Sequence, residues 1–165
     1  MDRLRYYLPV IYVLSVYASF YFGGNWVWFG VATFPALAVI DSLLPNDLRS
    51  RNVPDNFITD IPVWLSTILP VGLYFVGAYW IAITPDIQTH QYIGAALSIA
   101  WMSVIPLVPA SHELYHARGK IRRFVGRFSQ ICYLDCTREI AHVVGHHIDV
   151  ATEKDSDTSP RGVSL

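Results

Sequence analysis

Four long apolar runs, separated by short polar segments, make up most of the first two thirds of the chain. They cover residues 4–22, 26–44, 61–84 and 92–109. A helix rises about 1.5 Å per residue, so each run is long enough to cross most or all of a hydrocarbon core roughly 30 Å thick. The pattern predicts an all-α integral membrane protein with about four transmembrane helices.

The pattern changes at residue 111, where polar and charged residues become frequent. Phe124, Phe128 and Ile131 recur at helical spacing with arginines between them, which predicts an amphipathic helix. Such a helix either lies at the membrane interface with its basic face toward lipid headgroups, or packs as a core helix on the spans. The chain after residue 147 is hydrophilic and is predicted to be loop. We therefore predict a transmembrane region over residues 1–110 and a cytoplasmic segment over residues 111–165.

The distribution of charge predicts the orientation in the membrane. Charged residues make up 15% of the chain, against about 25% in soluble domains. All twelve Lys and Arg residues lie in three places, which are residues 3–5, residues 49–51 and residues 118–161. The positive-inside rule then places the N-terminus, the central loop and the C-terminal segment on the cytoplasmic side of a bacterial inner membrane. A net charge of −1 argues against a nucleic-acid partner.

Five of the six histidines lie in two groups within residues 112–147. Residues four apart share one face of an α-helix, which pairs His112 with His116 and His142 with His146. At about 100° per residue, His147 is predicted to point away from the face of the second pair. The second group could then serve two metal ions, or one ion and a bridging position. His90 lies alone in a turn at the opposite membrane face and is excluded from the site.

Imidazole-rich ligation suits iron, zinc, copper or nickel, and five histidines are too many for one tetrahedral zinc. A dinuclear centre is the natural inference. One alternative is a membrane zinc protease that uses the H-E-x-x-H pattern with Glu113 as general base, but it leaves the second group largely unexplained. Another is a membrane fragment without enzymatic activity. Cys132 and Cys136 are interpreted as ordinary reduced thiols.

The stretches HELYHARGK and EIAHVVGHHIDVATEKDSDTSPRG resemble the first two histidine boxes of the membrane-bound non-haem di-iron hydroxylases. The H-x-x-x-H-H spacing favours the alkane monooxygenase branch over the fatty-acid desaturases, which usually show H-x-x-H-H. Within that branch the chain is most similar to the hydroxylase subunits of xylene and p-cymene monooxygenases. The similarity also covers LRYY, YFGGNWVWFGVATFPAL and LPNDLRSRNV.

The resemblance implies an NADH-dependent monooxygenase that uses O2 and two iron ions to hydroxylate the methyl group of an alkylbenzene. It also implies a separate flavin and iron–sulfur reductase and a hydrophobic substrate, for which Trp101 and Phe34 are expected to line the pocket. An alkane hydroxylase, or a lipid desaturase or hydroxylase, of the same superfamily is the alternative. The implied iron ligands are His112, His116, His142, His146 and His147. The implied supporting acids are Glu113, Glu139, Asp155 and Asp157.

Proteins of this family carry further histidine boxes after more membrane spans. The chain is therefore expected to be the N-terminal portion of a longer protein and to supply only part of the iron ligands. On this basis it is expected to hold no working di-iron centre alone.

Overall fold

The computed structural model describes residues 2–45, 57–155 and 157–159, and all regular secondary structure in these ranges is helical. The basic central loop with Arg49 and Arg51 lies outside the described residues, as do Ser156 and Arg161 of the tail. The prediction of an all-α protein is confirmed.

Eight α-helices follow one another along the described chain. They are α1 (Asp2–Arg5), α2 (Leu8–Phe22), α3 (Phe29–Leu43), α4 (Phe57–Ile83), α5 (Thr89–Met102), α6 (Val108–His116), α7 (Lys120–Cys132) and α8 (His147–Asp149). A 3₁₀ helix, Gly24–Trp28, precedes α3. Two π-helical segments, Ser103–Leu107 and Ile140–His146, lead directly into α6 and α8.

Three helical stretches are long and apolar enough to span a membrane, which confirms the prediction of apolar spanning helices. They are Gly24–Leu43, Phe57–Ile83 and Thr89–His116, with 20, 27 and 28 residues. The helix α2 is also apolar, but its 15 residues cover only about 22 Å. The count of four spans therefore stays a prediction, as does the division into two regions at residue 110.

The last span extends further than its apolar run. The run was expected to end near residue 109, but the helical chain continues without a break to His116. Pro106 lies inside the π-helical segment, whose wider turn absorbs the proline without ending the helix. One continuous helical stretch therefore carries His112 and His116 at its end.

Apolar side chains of α2 and α4 form the centre of the bundle. Val13, Val16 and Leu73 are fully buried, and the rings of Phe20 and Trp80 meet edge to face at 6.0 Å. The helices α3 and α5 approach each other closely at Gly30, where an added Cβ would lie 2.7 Å from the Cβ of Ser98. Such small residues at contact points are typical of packed membrane helices.

Long-range contacts define the two ends of this bundle. At one end the Tyr7 hydroxyl donates to the carbonyl oxygen of Ile58 at 3.0 Å. This oxygen has no helical hydrogen bond from position 62, because Pro62 has no N–H. Arg122 of α7 is paired with Asp60 at the same end. At the other end His90 is bonded to Asn25 at 2.9 Å. The amino ends of α2 and α4 thus lie at the end that carries α7, and His90 lies at the opposite end.

The helix α7 packs on α6 through its small and polar residues. Gly126, Ser129 and Gln130 are buried, and the Gln130 amide donates to the Ser111 hydroxyl. A Cβ at position 126 would lie 3.0 Å from the Cβ of Leu114 and 3.1 Å from the Ser111 carbonyl oxygen, so the close contact depends on glycine. The helix α7 therefore packs on the spans, as one of the two predictions had it. The contact is made by small and polar residues, and the large apolar residues of α7 do not take part in it.

Candidate metal centre

The first histidine pair lies at the end of the last span. His112 and His116 are one turn apart on α6, with their ring centroids 4.8 Å apart and their Nε2 atoms 3.3 Å apart. The opposite face of α6, with Ser111, Leu114 and Tyr115, is buried. This packing leaves His112 half-buried and His116 exposed, so both imidazoles face away from the core.

The second histidine group lies on the π-helical segment Ile140–His146 and the first residue of α8. In a π-helix the turn closes after five residues, so positions i and i+5 lie on the same side. His142 and His147 accordingly face each other, with Nε2 atoms 3.1 Å apart and centroids 4.6 Å apart. The prediction that His147 points away from His142 was wrong, because it assumed α-helical geometry.

Four of the five predicted ligands meet in one cluster. The Nε2 atoms of His112 and His142 are 2.7 Å apart, although 30 residues separate them in the chain. Among the described residues, the ligand atoms of His112, His116, His142 and His147 all lie within 4.8 Å of one another. We call these four residues the histidine cluster.

The histidine cluster fits a transition-metal ion. Metal–imidazole bonds are about 2.0–2.1 Å long, so nitrogens that share an ion stand at most about 4 Å apart. The spread of up to 4.8 Å in the cluster exceeds this limit by less than about 1 Å, which small side-chain rotations can close. Burial, followed by the imidazole of His112, lowers the pKa of His142 below its ordinary value of 6.5. Neutral imidazole is the form that binds a metal ion. The four imidazoles are therefore suited to a metal cofactor, and imidazole nitrogens bind iron, zinc or copper.

The fifth predicted ligand, His146, is held by Asp155. Its Nδ1 lies 2.8 Å from the carboxylate oxygen of Asp155, whose side chain is buried. The Thr158 hydroxyl donates to this carboxylate, and so does the Asp157 N–H at 3.0 Å. These bonds, with that from Thr158 contributing most, lower the pKa of Asp155 to about 2. An ionised Asp155 accepts a hydrogen bond from the Nδ1–H of His146 and leaves the Nε2 of His146 free to bind a metal.

The other predicted acids take different positions. A carboxylate oxygen of Asp157 lies 3.8 Å from the Nδ1 of His142. Glu113 is exposed and, together with His116, lines a cavity of about 1170 Å³ that also borders Asp60 and Arg122. The residues that line this cavity do not include Trp101 or Phe34 of the predicted substrate pocket. Those two rings instead contact each other at 4.6 Å between α3 and α5.

Glu139, one of the implied supporting acids, binds two arginines of α7. Its two oxygens accept hydrogen bonds from Arg123 at 2.9 Å and from Arg127 at 2.8 Å, with a second bond from the Arg127 Nε. The bonds from Arg127, followed by those from Arg123, lower the pKa of Glu139 below its ordinary value of 4.5. Glu139 directly precedes the π-helical segment that carries the second histidine group, and both arginines belong to α7. The carboxylate therefore links the second histidine group to α7.

The arginines that bind Glu139 and the threonine that binds Asp155 were not predicted from the sequence. Arg123 and Arg127 are four apart on α7, a spacing that places two guanidinium groups on one face and could have indicated a carboxylate partner. Thr158 offers no such signal, because its contact with Asp155 depends on the turn formed by the tail.

Replacing Asp155 by asparagine is expected to weaken metal binding about 10–100-fold, the usual cost of losing a partner that orients a ligand histidine. The amide cannot act as the charged acceptor for His146. Titration with Co²⁺ against a competing chelator measures the change. Glu153→Gln is the matched control, since Glu153 is an exposed acid in the same turn region. Equal losses in both variants would contradict the assigned role of Asp155.

Curated relatives of the chain are monooxygenases. The chain is 40% identical to the xylene/toluene monooxygenase hydroxylase component XylM of Pseudomonas putida over 168 residues, which is 100% of this chain and 45% of that protein. It is 24% identical to alkane 1-monooxygenase 1 of Alcanivorax borkumensis over 84% of this chain and 36% of the relative. It is also 24% identical to alkane 1-monooxygenase of Pseudomonas putida, over 84% of this chain and 34% of the relative.

The chain thus spans less than half the length of these relatives. No protein-family model matches it, and no solved structure matches it. The expected resemblance to the xylene and alkane branch of the membrane hydroxylases is confirmed by the relatives.

Proposed function

Because the chain belongs to the family of the xylene and alkane monooxygenases, we propose that it is the part of a membrane monooxygenase that supplies some of the ligands of the catalytic metal site. The observation that carries this proposal is the histidine cluster, which joins two histidine groups at the end of an apolar spanning helix. The relatives support an oxygenase, and the cluster supports a metal cofactor within it.

Iron is the metal we propose, with two ions in the complete site. Bound iron would supply the reduction and activation of O2, chemistry that amino-acid side chains lack. His112, His116, His142 and His147 would hold one ion, and His146 would be a ligand aligned by Asp155. Four clustered imidazoles are enough for one ion, so a pair of ions needs ligands in addition to these five histidines.

The substrate proposed is the methyl group of an alkylbenzene such as xylene, toluene or p-cymene. One atom of O2 enters a C–H bond to give the alcohol, and the other leaves as water after uptake of two electrons and two protons. NADH would provide the electrons through a separate flavin and iron–sulfur reductase. A hydrophobic substrate would reach the site from the bilayer around the spanning helices.

The orientation proposed places the histidine cluster on the cytoplasmic side of a bacterial inner membrane. The positive-inside rule supports it, because the end that carries the cluster also carries Arg5, Arg118 and the arginines of α7. Reducing equivalents from NADH are available on that side. His90 would then face the opposite compartment.

Other activities are the alternatives. An alkane or lipid hydroxylase would use the same metal and differ only in its substrate, and a lipid desaturase would also differ in its reaction, because it removes two hydrogens from the acyl chain and inserts no oxygen. A zinc protease would need His112, His116 and Glu113, but it gives no function to His142 and His147, whose nitrogens lie in the same cluster.

A chimera tests the proposal directly. This chain would replace the part of XylM that matches it, and membranes with the reductase and NADH would be given p-xylene, octane or an acyl lipid. We expect the alcohol from p-xylene and two irons per protein. A chimera that binds two irons but converts only octane or the acyl lipid would contradict the proposed substrate. This chain alone should bind fewer than two irons and show no turnover, and two irons with turnover would contradict the shared ligand set.

A further inference from the structure

The large apolar residues of α7 lie on its outer face. Ile121, Phe124, Phe128 and Ile131 are 73%, 64%, 52% and 51% exposed, and we call them the α7 apolar stripe. At about 100° per residue they fall within one narrow arc, on the side of the helix opposite Gly126 and Gln130. The side of α7 that carries small and polar residues therefore packs on the protein, and the two phenylalanine rings are exposed on the outside.

This arrangement is unfavourable in water and favourable in lipid. Exposed apolar area costs about 25 cal/mol per Å² in water, and the stripe presents four large side chains together. Contiguous exposed patches of this kind mark an interaction surface. In a bilayer the same side chains contact acyl chains, and small residues make the helix–helix contact.

Each arginine beside the stripe is paired with a carboxylate. Arg122 is bonded to Asp60 at the amino end of α4, and Arg123 and Arg127 are both bonded to Glu139. Pairing lowers the cost of bringing a guanidinium group close to a low-dielectric medium. Lys120 is exposed at the first turn of α7, where an ammonium group can reach lipid phosphates.

Contacts at both ends align α7 with the first half of α4. Arg122 meets Asp60 in the first turn of α4, and ten residues further along α4 the Tyr133 hydroxyl donates to the Pro70 carbonyl at 2.7 Å. The ring of Tyr133 also contacts Tyr74 at 4.9 Å. Ten residues of α-helix rise about 15 Å, so α7 runs beside the first part of the 27-residue helix α4.

We propose that the α7 apolar stripe is inserted into the lipid bilayer, at the boundary between headgroups and acyl chains. The stripe then continues the lipid-facing surface of the spanning helix α4, and Lys120 lies at headgroup level. Because Glu139 fastens the second histidine group to α7, the bilayer holds one wall of the histidine cluster in place through this helix. The metal site would thus be positioned by the membrane as well as by protein contacts.

Spin-label accessibility in vesicles of phosphatidylethanolamine and phosphatidylglycerol tests the insertion. Cys132 and Cys136 are first replaced by serine, and single cysteines are then introduced as Phe124→Cys or Phe128→Cys. Glu153→Cys is the aqueous control, and Phe75→Cys in α4 is the lipid control, since Phe75 is 75% exposed on a span. Oxygen concentrates in lipid and a polar nickel chelate is excluded from it, so the oxygen-to-nickel accessibility ratio at the stripe should exceed that at Glu153 at least about tenfold.

Two results would overturn the proposal. A ratio at the stripe equal to that at Glu153 would place α7 in water, and low accessibility to both reagents would mean that protein covers the stripe. A photoreactive probe carried on a lipid tail tests the unsubstituted chain, whose peptide over residues 121–131 should be labelled as strongly as that over α4. None of these measurements needs bound metal or turnover, so they stand apart from the proposed activity.

Discussion

His142→Ala is expected to abolish stable metal binding at the histidine cluster. His142 is the link between the two histidine groups, because its Nε2 lies 2.7 Å from that of His112 and 3.1 Å from that of His147. Loss of a partner that only orients a ligand costs about 10–100-fold in metal affinity, so loss of a central ligand should cost more than about 100-fold. Iron content of the purified protein and Co²⁺ titration measure the effect.

His90→Ala is the matched control for this substitution. It removes an imidazole of the same kind, but His90 is bonded to Asn25 at the opposite end of the bundle. Its metal content should equal that of the unsubstituted chain. A His142→Ala protein that retained full metal content, or a His90→Ala protein that lost it, would contradict the assignment of the cluster as the metal site.

Glu139→Gln is expected to detach the second histidine group from α7 and to weaken metal binding about tenfold. The Glu139 side chain is only 12% exposed and receives bonds from two arginines. By contrast, none of residues 140–149, all of them described, is buried, so little apolar packing holds the segment in place. Without the carboxylate, Arg123 and Arg127 lose their shared acceptor. Amide hydrogen exchange over residues 140–149 should become faster while exchange within α4 stays unchanged.

The same ion pairs predict a pH dependence. Because the pKa of Glu139 is lowered in the folded protein, its bonds contribute their full stability above the ordinary value of 4.5. That contribution is lost as the pH falls through the lower folded value. Protection of residues 140–149 should therefore decrease on acidification below about pH 4.5 in the unsubstituted chain, and the Glu139→Gln variant should lack this step.

Asp135→Asn is the matched control for Glu139→Gln. Asp135 is also an acid bonded to an arginine, Arg138, but the pair is local, three residues apart, and half of the arginine is exposed. Exposed pairs of this kind contribute little to stability. A loss of protection in the control as large as in Glu139→Gln would mean that general charge balance, and not the bond to α7, holds the segment.

Much of the fold follows from local sequence because membrane helices satisfy their backbone groups within one segment. The apolar run over residues 61–84 became α4 (Phe57–Ile83), and the run over residues 26–44 became the stretch Gly24–Leu43. The ends were less predictable. The last apolar run ends near residue 109, but a π-helical turn let the helix continue to His116. Composition alone does not reveal such a turn, since it depends on packing around the backbone.

The sequence by itself determined the helical class, the apolar spans, the two histidine groups and the resemblance to a hydroxylase family, all of which depend on residue type and spacing within short segments. Only the tertiary structure decided which imidazoles share one cluster, because the π-helical turn moved His147 to the side of His142 and turned His146 toward Asp155. It also decided that Glu139 binds arginines and that α7 exposes its phenylalanines. These features depend on contacts between residues far apart in the chain or on the hydrogen-bond register of a helix. The spacing of residues in the sequence specifies neither the contacts nor the register.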